Sequence, residues 1–149
     1  MKPGIILLVE DNPDDEALTK LAFEDSKITN PVVVARDGAE ALDYLFARGP
    51  YADRPAEDAP ILILLDLNLP KVHGIEVLRQ LRADPLTRLI PVVVLTSSHE
   101  QSDIRDCYAL GVNAYINKPV EWEQFSQAVR ILRMFWLVLN QPPPANGGA

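Results

Sequence analysis

Ile61-Leu62-Ile63-Leu64-Leu65-Asp66 drives five bulky apolar residues, without one polar interruption, straight into a carboxylate. Such a run has the length of a strand. Its lack of alternation suits a strand buried on both faces, as in a parallel sheet covered by helices. Comparable apolar runs recur at residues 5–9, 32–35, 92–95 and 114–116. Helical patterns separate them. Asn12-Pro13-Asp14-Asp15 reads as an N-cap, a proline in the first turn and acids against the positive dipole end, followed by Leu18, Leu21 and Ala22 at helical spacing. Further helices are predicted over residues 38–48 and 74–83. A fourth is expected to use Ser98 and Gln101 as a capping box and to end at Gly111, and a fifth begins near Glu121. Strict alternation predicts an α/β fold: a doubly wound, five-stranded parallel sheet with helices on both faces and right-handed crossovers.

The composition agrees with one such domain. The 149 residues are 48% hydrophobic and 23% charged, enough apolar material for a single core and too regular a pattern for disorder. Lys and Arg number 14 against 21 Asp and Glu, a net charge of −7. That charge repels a phosphate backbone, and with no basic patch to override it nucleic acid is not an expected partner. The longest apolar run, residues 134–139, falls far short of the roughly 20 residues that span a bilayer. With no secretory signal at the start either, a cytoplasmic protein without a membrane partner is expected. Cys107 is the only cysteine, which excludes an internal disulfide and a multi-cysteine metal site; it reads as a small buried or half-buried apolar residue. Residues 49–60, with Pro50, Pro55 and Pro60, read as an ordered but irregular excursion. Residues 141–149, with Pro142-Pro143-Pro144, read as a disordered tail after a domain of residues 1–140.

In open parallel sheets, ligands bind beyond the carboxyl ends of the strands. Here those ends carry Glu10-Asp11, Asp66, Thr96-Ser97 and Asn117-Lys118. Carboxylates a few ångströms apart repel by about 4 kcal/mol per pair at an effective dielectric of about 20, so the cluster shifts its pKa values or recruits a cation. A small set of oxygen ligands suits Mg²⁺ or Mn²⁺ better than Ca²⁺, and His73 and His99, in a loop or at a helix start, offer no zinc site. A divalent ion and Lys118 together offset three acids. One carboxylate can then attack a phosphorus without prohibitive repulsion, and Asp66, on the central strand, is the expected nucleophile. Thr96 is placed to donate its hydroxyl to a phosphoryl oxygen of the resulting acyl phosphate.

The stretches Val9-Glu10-Asp11-Asn12, Leu65-Asp66-Leu67-Asn68-Leu69-Pro70 followed by Gly74, Leu95-Thr96-Ser97, and Lys118-Pro119 stand in this order at the strand ends. Over roughly residues 5–137 the sequence resembles the receiver domains of two-component response regulators. The resemblance implies a flavodoxin-like receiver fold with Asp66 as phosphoacceptor, Asp11 as a direct metal ligand, Glu10 acting on the metal mainly through water, and Asn68 contributing its backbone carbonyl. It implies that Thr96 and Lys118 contact the phosphoryl group and that the Lys118-Pro119 peptide is cis. Tyr115 matches the aromatic switch position, whose ring turns inward as Thr96 is drawn to the phosphoryl group. The implied donor is a phosphohistidine on a sensor histidine kinase, and the regulator would catalyse only its own phosphorylation and dephosphorylation. Signalling by protein contact or phosphorelay, without a DNA-binding output domain, is expected. The 49–60 excursion and the ending Met134-Phe135-Trp136-Leu137-Val138-Leu139 resemble the single-domain regulators paired with bacterial and cyanobacterial phytochrome kinases.

Other readings compete. A haloacid-dehalogenase-like phosphatase also uses a strand-end Asp and Mg²⁺, but needs a second acid two residues later, where this chain has Asn68. A flavin or nucleotide module would need a glycine-rich phosphate loop, which the chain lacks. A binding module that works without phosphorylation is the third alternative. In the last helix Trp122, Phe125, Val129 and Leu132 form one core stripe, but after Ile131 apolar residues face every side. The excess predicts a homodimer, with Phe135, Trp136 and Leu137 at its interface, against the simpler expectation that this end folds back on its own domain.

Overall fold

The computed structural model describes residues 4–144. Five strands, β1 (Ile5–Val9), β2 (Val32–Ala35), β3 (Pro60–Leu65), β4 (Val92–Thr96) and β5 (Ala114–Asn117), alternate with α1 (Pro13–Asp25), α2 (Gly38–Leu45), α3 (Gly74–Ala83), α4 (Gln101–Ala109) and α5 (Trp122–Leu132). The strands are all parallel, in the order β2-β1-β3-β4-β5. Alternate strand residues feed two cores. Leu7, Val9, Ile63, Leu65, Val92 and Val94 pack under α2, α3 and α4; Ile6, Leu8, Leu62, Leu64, Val93 and Leu95 pack under α1 and α5. That double burial explains why the strands read as uninterrupted apolar runs. Among the described residues, no helix is long and apolar enough to cross a membrane.

The elements start where local chemistry dictates. Asn12 caps α1, its Oδ1 accepting from the Asp14 and Asp15 N–H groups at 2.9 and 3.0 Å, with Pro13 in the first turn. Two expectations need correction. Helix α2 stops at Leu45 rather than residue 48, because Ala47 and Gly49 adopt positive φ and turn the chain out of the helix. The capping box at Ser98 does not form: Glu100 is the residue before α4, and the Ser98 hydroxyl instead donates to Asp103 Oδ2 at 2.6 Å. His73, read as a loop or helix-start residue, caps α3: its Nδ1 accepts from the Ile75 N–H.

The 49–60 excursion is ordered, as two 3₁₀ turns, Gly49–Tyr51 and Ala56–Asp58. Arg54 pins it by donating to the Tyr44 and Leu45 carbonyls, and Tyr44 Oη donates to Asp58 O at 2.7 Å. Beyond α5 the chain continues as a π-helical run, Arg133–Leu139. Of the tail expected to be disordered, residues 141–144 are exposed coil and residues 145–149 lie outside the described residues.

Candidate functional site

Because β1 lies beside β3, and β3 beside β4, the strand-end residues converge on one edge of the sheet. Carboxylate oxygens of Glu10, Asp11 and Asp66 all lie within 4.8 Å of one another. Glu10 and Asp66 are buried and Asp11 is exposed at the rim. This donor set, hard oxygens alone with one side open, fits a small divalent cation. Asn68 is exposed beside it, and its N–H donates to Asp66 Oδ1 at 3.3 Å. A cleft of about 660 Å³ opens over the acids, walled on its polar side by Asp11, Asp15, Asn68, Ser97 and Lys118 and on its apolar side by Leu18, Pro119, Val120 and Phe125.

Lys118 reaches in from the end of β5, and the Lys118-Pro119 peptide is cis. Its Nζ donates to Glu10 Oε1 at 2.7 Å, Asp15 Oδ2 at 2.8 Å and Asp66 Oδ2 at 3.1 Å. Burial works against its charge, but these acids outweigh that and push the ammonium pKa up, so it stays protonated. Burial pushes the Glu10 carboxyl up to about 7, with the Asp66 charge adding to the rise and the Lys118 bond opposing it. Asp15 is the residue that sequence reasoning missed. It reads as one more acid complementing the α1 dipole, and nothing local marks its reach to Lys118, 103 positions away.

Thr96 is fully buried at the end of β4, and its Oγ1 accepts from the Ser98 N–H at 3.3 Å. Tyr115 is half-buried against the α2-α3-α4 core, and its hydroxyl donates to Ser98 O at 3.0 Å. Asn117 donates to the same carbonyl at 2.6 Å. Thr96 and Tyr115 are thus linked through one loop residue, Ser98. Phe135, Trp136 and Leu137 lie in the C-terminal π-helical run and are not brought to this edge. Phe135 is 60% exposed, Leu137 packs on the α1-α5 core, and Trp136 lines a second cleft with Arg82, Leu89 and Asn113.

Residues 6–130 match the family model described as the response regulator receiver domain. The response regulator Rcp1 of Synechocystis sp. is 41% identical over 143 residues, 96% of this chain and 95% of Rcp1. The crystal structure of phosphorylated RcpA, a cyanobacterial phytochrome response regulator, aligns with a TM-score of 0.85 at 43% identity, covering 97% of this chain and all of that one. The bacteriophytochrome response regulator RtBRR aligns at 0.78 and 56% identity, covering 97% of this chain and 86% of its own, and the Mn²⁺-bound form of Rcp1 at 0.84 and 39%, covering 95% and 100%. A shared fold, a match over most of the length and an acid cluster at the strand ends agree: this chain belongs to the response regulator receiver domain family.

Proposed function

We propose that the chain is a phosphoacceptor response regulator that receives a phosphoryl group on Asp66 from a sensor histidine kinase, with a phytochrome as the kinase's sensory part. The observation that carries the reading is the meeting of Glu10, Asp11 and Asp66, with the Lys118 ammonium donating to Asp66 itself. Asp66 attacks the phosphorus, a P–O bond forms, and the P–N bond of the donor phosphohistidine breaks with its electron pair leaving on the imidazole. Water later attacks the same phosphorus and returns the carboxylate and inorganic phosphate. Lys118 supplies fixed positive charge to the phosphoryl oxygens, and Thr96 supplies a hydroxyl once the Ser98 loop moves. Glu10, Asp11, Asp66 and the Asn68 carbonyl would hold Mg²⁺ or Mn²⁺. When bound, that ion neutralises charge that would otherwise repel the donor. The Mn²⁺-bound Rcp1 structure supports the metal, and the RcpA and RtBRR likenesses support the phytochrome link.

The signal would pass through Tyr115, whose hydroxyl donates to the carbonyl of Ser98, the residue whose N–H donates to Thr96 Oγ1. A homodimer is the second element of the proposal. Its support is the exposed apolar stripe of Ile131, Met134, Phe135, Val138 and Leu139. The direct test is incubation with acetyl phosphate and Mg²⁺, read by intact mass. Wild type gains one phosphoryl group and Asp66→Asn gains none; adducts on both would move the nucleophile elsewhere. Phosphotransfer from a phosphorylated phytochrome kinase, compared with an unrelated kinase, tests the partner.

A further inference from the structure

Lys118 has three N–H donors and all three are spent: on Glu10 at 2.7 Å, Asp15 at 2.8 Å and Asp66 at 3.1 Å. An incoming phosphoryl oxygen can be served only if one of these contacts gives way. Glu10 cannot yield cheaply. It is 2% exposed, and without the ammonium its carboxylate would be stranded in the interior. Asp66 is the reacting group, so the oxygens that arrive on it lie where its own contact with Lys118 already is. Asp15 stands on the cleft wall with 36% of its side chain exposed, where water can take the place of the ammonium. We propose that Asp15 is a positioning residue for phosphoryl transfer: it parks the Lys118 ammonium at the cleft wall and competes with the phosphoryl group for it. The proposal rests on the phosphoacceptor reading above and adds a residue that the strand-end pattern does not contain.

Two consequences follow from charge and geometry. Asp15 takes a donor that the phosphoryl group needs, and its charge faces a dianionic donor molecule across the cleft. Both retard phosphorylation. Asp15→Asn keeps the size and an acceptor oxygen but loses the charge. Asp14→Asn is the matched control: it lies on the same first turn of α1, loses the same charge, and Asp14 is not among the Lys118 contacts.

Phosphorylation rates are measured against acetyl phosphate concentration at saturating Mg²⁺. Asp15→Asn is expected to react about fivefold faster than both wild type and Asp14→Asn. The second readout needs neither metal nor phosphodonor. In metal-free protein at alkaline pH, acetic anhydride should acylate the Lys118 amine faster in Asp15→Asn than in wild type or Asp14→Asn, measured by peptide mass, because the carboxylate that holds the amine against the cleft wall is gone. If Asp15→Asn matches or falls below Asp14→Asn in either readout, Asp15 does not hold Lys118 against the phosphoryl group. If wild type takes up no phosphoryl group at all, the phosphoacceptor reading fails instead, while the acylation experiment still decides whether Asp15 restrains the lysine.

Discussion

At Gly74 a Cβ would sit 2.3 Å from the Asp66 carbonyl oxygen and 2.6 Å from Leu67 Cα, both backbone atoms with little room to retreat. The Gly74 N–H also donates to Leu67 O at 2.8 Å. The start of α3 is therefore pressed against the peptide that carries Asp66, and only glycine permits it. Gly74→Ala is expected to cost about 1–3 kcal/mol in urea unfolding and, because the strain falls on Asp66, to slow phosphorylation in parallel. Cys107 illustrates the opposite case, a residue with reactive potential kept inert. It is fully buried in α4, and burial pushes its thiol up to about 11. A raised acid pKa means the folded state holds the proton more tightly, so the group's contribution to stability is intact below the ordinary value near 9 and is lost as pH rises towards 11. At pH 8 its thiolate fraction is lower by about 100-fold than that of a free thiol. Native protein should therefore react with a thiol reagent at least that much more slowly than protein unfolded in urea.

Among the elements, α1 carries the most function in its first turn. Asn12 caps it, and the same turn presents Asp15 to Lys118 across 103 positions of sequence. Asn12→Ala should destabilise by about 1 kcal/mol in denaturant midpoint, with Asn12→Gly costing only a few tenths. Arg82 does for the opposite edge of the sheet what Lys118 does for the acid edge. From α3 it donates to the carbonyls of Arg88, Ile90, Leu110 and Gly111, tying the end of α4 to the turn before β4. Arg82→Met keeps the stem and removes four donations to backbone oxygens; a loss of about 2 kcal/mol in equilibrium unfolding is expected, without loss of phosphorylation on Asp66.

For the molecule as a whole, the proposed dimer is the property most open to direct measurement. Phe135 is exposed, so Phe135→Ala should leave the monomer's stability unchanged while shifting the mass by sedimentation from dimer to monomer; a wild-type monomer at micromolar concentration would remove the dimer. Trp136→Ala is a less clean test, because that ring also lines a cleft of its own domain. Much of the architecture was legible from local chemistry. Unbroken apolar runs such as Ile61 to Leu65 mark strands covered on both sides, Asn12-Pro13 marks the start of α1, and the acids at the strand ends mark the edge where a cation fits, since each of these signals is written in a few adjacent residues. Ser98 was misread because capping depends on where its hydroxyl finds a partner, and Asp103 was the nearer one. Asp15, the division of Trp136 and Leu137 from Phe135, and the full engagement of the Lys118 ammonium were beyond local reading. Each depends on distances between segments far apart in the chain, and those distances exist only once β1, β3 and β5 are set side by side with α1 and α5 packed across them.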